Sequence, residues 1–407
     1  HDNTPQCERE AEVNAVTRIL ILAAALAGLC LAPMAAIAQT GDDLRAEFEA
    51  VIDGLNDNSF RNFHGAINDN EFVDRAFGTR VRAYDAKQAC AAAFTEHPEK
   101  MFQSAFPQAR TQEEAGSEII GTVVAFEDSG STGRAIVRFE AGGYRFTWHA
   151  YDLVRSRGGR VQIVDWYDFY QGSWFSQIIG DSLVRALPAA GPVASVLEMP
   201  NPSEGQLFQV GELFKAVRDG NPRRYVQIFD GLEEALREEP FVVHLNFQYW
   251  RMIRDPGRLM AAAGALSAAF PGDPRHSLSL AEFYIQARRF DEAITELDQL
   301  EDALGIDDGV VRSLKATAYM ALGQFDEAQA SALAATQAEP TLELAWWTLL
   351  RTRTAAENYA GATEALSELE DRFGHLLIPQ KLRRDRFLKV LIDEEAYKEW
   401  RAARDAA

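Results

Sequence analysis

Apolar residues at Leu44, Phe48, Val51, Ile52 and Leu55 recur three and four apart, which predicts an amphipathic helix that Asp42 or Asp43 can cap. Further helices are expected around Ser59 to Ile67, Glu71 to Phe77, and Ala83 to Phe106 with a break near Pro98. Between Ser117 and Tyr170 the period shortens to two. The runs SEIIGTVVAFED, RAIVRFEA, YRFTWHAYDLVRS and RVQIVDWYDFY, divided by SGSTG, GG and RGG, predict an antiparallel meander of three or four strands. Alternation sets Tyr144, Phe146 and Trp148 on one face of the third strand and Arg145, Thr147, His149 and Tyr151 on the other. A closing helix is expected from about Ser173 to Ala186. The proline-rich segment 187–205 then reads as a linker between a domain at 39–186 and a second at 206–407.

From Gln206 onward every period is helical, in five segments of about thirty-four residues that close at Pro240, Pro274, near Gly305, at Pro340 and near Gly374. The tetrad Phe290-Asp291-Glu292-Ala293 returns letter for letter at Phe325-Asp326-Glu327-Ala328, and Tyr359-Ala360-Gly361-Ala362 follows in phase. Each would open the second helix of a helix-turn-helix unit: an aromatic in the turn, acids at the helix N-terminus, and a small alanine where the paired helix approaches.

Ala316, Tyr319, Gly323, Phe325, Ala328, Ala335 and Pro340 fall on the consensus positions of the tetratricopeptide repeat (TPR), and this half of the chain resembles that family. Ala281, Tyr284, Phe290 and Ala293, and then Trp346, Leu349, Tyr359 and Ala362, fit the neighbouring units. Before Arg275 the match weakens, with Asp219 and Ile253 where tyrosine is usual. The resemblance implies an all-α superhelix with a concave surface that holds a peptide or helix. The amino-terminal half, with helices from DDLRAEFEAVIDGLND to FVDRAFG and a meander ending RVQIVDWYDFYQGSWFSQIIGD, is similar to nuclear-transport-factor-2-like domains of bacterial exported proteins. That resemblance implies an α+β fold with helices over a curved antiparallel sheet, the cone also used by ketosteroid isomerase.

The composition, 47% hydrophobic and 25% charged, suits globular domains. A net charge of −20 argues against general affinity for nucleic acid or anionic lipid. Arg18, the apolar run Ile19 to Ala32, and Ala36-Ile37-Ala38 form a signal-peptide pattern within residues 1–38, too short in its apolar part to span a bilayer. Export to the periplasm or beyond, with no stable membrane anchor after cleavage, is therefore expected. Cleavage after Ala38 removes Cys7 and Cys30 and leaves Cys90, so no internal disulfide is expected and Cys90 reads as a buried small hydrophobe.

Chemical motifs are sparse. No phosphate-binding loop ending in Lys-Ser or Lys-Thr and no G-x-S-x-G elbow occurs, and the seven histidines show no zinc-ligand spacing. No cofactor or metal is expected. The one catalytic constellation worth naming is His149 and Tyr151 on one strand with Asp165 or Asp168 on the next, since a cone enzyme can pair an aspartate base with a tyrosine donor. Asp165 and Asp168 lie three apart, so one at most faces inward. The aromatic run DWYDFYQGSW implies that both sheet faces are covered, one by the domain's own helices and the other by the repeats, a second copy or a ligand.

On the repeats, helical phasing places His244, Phe247, Arg251 and Arg254, then Arg275, Leu278, Glu282 and Ile285, and then Leu344, Trp347, Arg351 and Thr354 on the inner strip. Its arginines suggest an acidic or carboxylate-bearing protein partner. The asparagine-lysine clamp of chaperone-binding TPRs is not visible. KLRRDR (381–386) reads as the dressing of a capping helix. Two functions follow: an interaction scaffold without catalysis, or a small-molecule binder or enzyme in the α+β cavity.

Overall fold

The computed structural model describes residues 44–57, 60–77, 119–141, 145–186 and 193–406. The signal-peptide pattern, the expected helix Ala83 to Phe106 with Cys90, Tyr144, and the start of the proline-rich segment lie outside the described residues. Two compact units divide the chain, one ending at Gly272 and the other beginning at Asp273. The first contains the sheet together with the helices up to Ala269, whereas composition places its boundary at 187–205.

Helices α1 (Leu44–Asn56), α2 (Phe60–Ala66) and α3 (Asp69–Phe77) precede a five-stranded antiparallel meander. Its strands are β1 (Ile119–Asp128), β2 (Thr132–Ala141), β3 (Arg145–Arg155), β4 (Val161–Asp168) and the two-residue β5 (Ser173–Trp174), in that order across the sheet. The final pairing, Tyr167 with Trp174 and Asp168 with Ser173, delays helix α4 to Phe175–Ala186.

Register decides which side chains meet the helices. His149 opposes Val137 and Asp168, and Tyr151 opposes Ala135 and Trp166, so these residues share a face. That face packs with Phe48, Phe63 and Phe72 into one core. Trp148, on the opposite face, is also wholly buried, as the expectation of two covered faces requires. At Gly121 of β1 the approach of α1 is so close that a Cβ would lie 2.7 Å from Phe139 and 2.9 Å from Ile52. The side chain of Asn56 accepts from the Gly121 amide at 2.6 Å and donates to its carbonyl at 3.0 Å, satisfying both groups of this edge-strand residue.

The remaining helices come in pairs: α5 (Glu204–Arg218) with α6 (Pro222–Asp230), α7 (Pro240–Ile253) with α8 (Pro256–Ala269), α9 (Ser277–Gln286) with α10 (Phe290–Leu304), α11 (Gly309–Leu322) with α12 (Phe325–Ala338), and α13 (Glu343–Ala355) with α14 (Tyr359–Phe373). A last helix, α15 (Glu395–Ala406), follows a wound segment that begins at Pro379.

Between the two helices of each pair stands one residue with left-handed φ: Gly220, Arg254, Arg288, Gly323 and Glu357, one every 34 or 35 residues. At Arg288 its amide bonds the carbonyl of Ile285 at 3.1 Å while the next amide, Arg289, reaches back to Tyr284 at 2.8 Å. The same double closure recurs at Gly220, Gly323 and Glu357, and Arg254 makes a single bond to Trp250. This recurring left-handed stop, not sequence identity, defines five TPR-like pairs and includes the two weakly matching ones. The repeated tetrads begin helices α10 and α12, and Ala293, Ala328 and Ala362 are fully buried where paired helices touch.

Candidate functional site

The polar pair on the sheet is buried and enclosed. His149 Nδ1 lies 3.1 Å from the Tyr151 hydroxyl, and both residues have zero exposure. Phe139 stands 4.9 Å from the imidazole, and Phe48, Trp166 and Phe63 lie 5.3, 5.7 and 6.0 Å from the Tyr151 ring. Phe175, opening α4, stacks on Trp166 at 4.2 Å. Burial pushes the histidine down to about 3 and holds it neutral, and it raises the Tyr151 hydroxyl well above its usual range.

Of the two candidate aspartates, Asp168 is the one on this face with His149 and Tyr151, and Asp165 is not. Asp168 Oδ2 lies 3.8 Å from His149 Nε2, and its carboxylate accepts from the amides of Tyr170 (2.8 Å) and Gln171 (3.1 Å) and from the Gln171 side chain (3.0 Å). Burial raises it to about 6 against the pull of those hydrogen bonds and of Arg251. Asp165 opposes Asp152 instead. It accepts from the hydroxyl and amide of Ser176 at 2.5 and 3.1 Å and from the Trp166 amide at 2.9 Å, which fixes the start of α4. An enolising site needs its base and its donor on a shared cavity wall; here aromatic rings pack against the donor, and the second carboxylate is turned away.

On the helix pairs, the expected strip is partly closed by the protein itself. Phe247 is 1% exposed and offers no side chain to a partner. Arg251 stacks on Tyr170, its guanidinium 4.3 Å from the ring centroid, and donates to the Tyr170 carbonyl at 3.4 Å. Arg275 donates to Asp273 at 2.7 Å, and Arg351 donates to Asp385 at 2.7 Å. His244 and Glu282 are half-buried, and Arg254 is exposed at its left-handed turn. The arginines of this strip other than Arg254 therefore already meet partners within the chain, a fact that helical phasing alone cannot reveal.

Trp347 is the strip's half-buried aromatic. Its indole donates to Glu343 at 2.9 Å, the His375 ring lies 5.3 Å away, and Arg351 stands 5.8 Å over its face. Glu343 also meets His375 Nε2 at 2.7 Å. Tryptophan and arginine side by side are what recognition surfaces use as anchors.

The run Lys381 to Arg386, expected to dress a capping helix, carries exposed charge on a tightly wound segment. In the structure Lys381, Arg383, Arg384, Arg386 and Lys389 are all exposed, while Leu382 and Leu388 between them are buried. The alternation of cations with leucines was the available signal.

No family model matches the chain, and no curated protein does. Solved structures similar to it include MamA from MSR-1 (19% identity, TM-score 0.33, covering 42% of this chain and 97% of that one) and MamA from AMB-1 (17%, 0.34, 44% and 97%). PilW, titled a widely conserved type IV pilus biogenesis factor, is similar at 15% identity and TM-score 0.32, over 50% of this chain and 94% of that one. The assignment of TPR-like pairs rests on the recurring turn.

Proposed function

We propose that the chain is an exported, non-catalytic scaffold whose helix pairs hold another polypeptide. The observation that carries this reading is the constant step of the left-handed turn at Gly220, Arg254, Arg288, Gly323 and Glu357. Within each unit a constant step sets equivalent helix faces beside one another, and a concave inner wall is the natural outcome. Trp347, with Arg351 and His375 around it, supplies the anchor on that wall. The partner is a protein or peptide, acidic in the part it offers, and the net charge of −20 supports the exclusion of nucleic acid.

Export is supported by the apolar run Ile19 to Ala32 and the Ala36-Ile37-Ala38 pattern, and it places the scaffold in the periplasm or outside the cell. The nuclear-transport-factor-2-like reading of the sheet domain is supported by three helices on one face of an antiparallel meander. A ketosteroid-isomerase-like activity is disfavoured by the aromatic packing around His149 and Tyr151.

The test is capture from periplasmic extract on the immobilised chain from Gln39 to Ala407, repeated with Trp347→Ala. Loss of the captured set at unchanged circular dichroism is expected. An unchanged set would remove the wall as the binding surface.

A further inference from the structure

The segment after the last helix pair carries charge differently from everything around it. Its backbone is wound tightly: Arg383 N bonds Pro379 O at 3.0 Å, Asp385 N bonds Leu382 O at 3.0 Å, and Lys389 N bonds Asp385 O at 3.2 Å. Leu382, Leu388 and Leu391 anchor it in the core of Leu366 and Leu369. The leucines point in, and the cations point out.

The one carboxylate in the run is taken. Asp385 accepts from Arg351 at 2.7 Å and from the Phe387 amide at 2.9 Å. Every lysine and arginine from Asp273 onward, other than Arg288 and the five exposed cations here, lies within 4.0 Å of a carboxylate. Positive charges held on adjoining turns repel one another, and an outside anion relieves that repulsion.

We propose that Lys381, Arg383, Arg384, Arg386 and Lys389 form a docking surface for an acidic stretch of a protein partner. The inference rests on the scaffold reading only in taking that occupant to be a polypeptide. Charge complementarity selects the occupant. A membrane or a nucleic acid brings a broad negative face against a chain of net charge −20, whereas a short acidic segment meets the cationic turns alone.

The test uses the chain from Gln39 to Ala407 and a fluorescein-labelled octaglutamate peptide, followed by anisotropy at about 50 mM and about 300 mM salt. Binding at low salt that weakens at least tenfold at high salt is expected. The variant R383E/R384E/K389E is expected to lose at least tenfold, while R157E/R223E/R237E, with the same change of net charge at exposed positions elsewhere, stays within about twofold. Circular dichroism melts verify that both variants fold. The inference is overturned if the wild type ignores the peptide, or if both variants lose binding equally. It is also overturned if phosphatidylglycerol vesicles or single-stranded DNA bind more tightly than the peptide, or if the wild type dimerises through this surface. Because Trp347→Ala reads the wall and these substitutions read the turns, failure of one leaves the other standing.

Discussion

The guanidinium of Arg251, on α7, lies over the ring of Tyr170, just past the end of β4, and donates to that residue's own carbonyl. The contact ties a helix of the repeats to the edge of the sheet. It also places a cation near Asp168, where it pulls that carboxyl downward. Arg251→Ala is therefore expected to cost roughly 1–2 kcal/mol of stability in urea denaturation, from the lost stacking and hydrogen bond. Arg251→Glu should cost more, since it sets a second carboxylate near a buried one. A variant as stable as wild type would show that the contact is decorative.

Acid stability tests the buried pair. Unfolded, a histidine titrates at 6.5, and in the folded chain His149 resists protonation down to about 3, so its contribution falls as pH drops through that window. Asp168 acts in the opposite sense: unfolded it titrates at 3.8, folded at about 6, so its contribution grows as pH falls between those values. Between pH 7 and 5 the histidine loses about 2 kcal/mol and the aspartate recovers about 1. His149→Gln, which can still bond Tyr151, should be more acid-stable relative to its own pH 7 value than wild type is. Urea titrations at the two pH values give the double difference. No difference would mean that His149 is protonated in the folded state.

How much of this was legible follows from which signals are local. The helix pairs were readable because an aromatic, two acids and an alanine within four residues report on one turn. The first two pairs were legible in phase but matched weakly, since Asp219 and Ile253 break the side-chain consensus while the backbone stop at Gly220 and Arg254 persists. The choice between Asp165 and Asp168 depended on strand register, which places His149 opposite Asp168. The arginine strip misled for a different reason. Tyr170, which Arg251 stacks on, and Asp385, which pairs with Arg351, are 81 and 34 residues away, so sequence showed the side chains and not what they touch. The cations of 381–389 were misjudged the other way, because in a run that looks like ordinary helix dressing the one carboxylate, Asp385, is taken by Arg351.

Close packing at Gly121 predicts a second kind of sensitivity. An added methyl would overlap Phe139 and Ile52, one on the sheet and one on α1, neither a flexible chain end. Gly121→Ala should cost about 2 kcal/mol. Asn56→Ala should cost a similar amount by leaving the Gly121 amide and carbonyl without their shared partner. Thermal melts of the two variants check this, and neutral substitution at Gly121 would mean that α1 does not approach β1 as described.

The left-handed turns make the last prediction, and it has opposite signs at equivalent places. Gly323 adopts φ of 78° with nothing near its absent Cβ, so Gly323→Ala should cost about 1 kcal/mol through backbone strain alone. Arg288 and Glu357 hold the same conformation with side chains that strain it, at φ of 58° and 59°, and both are exposed. Arg288→Gly and Glu357→Gly should each stabilise by up to about 1 kcal/mol, less the entropy that glycine adds to the unfolded chain. Melting temperatures of the three variants, each measured alone, settle the sign. If the glycine variants at 288 and 357 melt lower, those side chains make contacts that outweigh the strain, and the turn is not the interchangeable unit that the repeat requires.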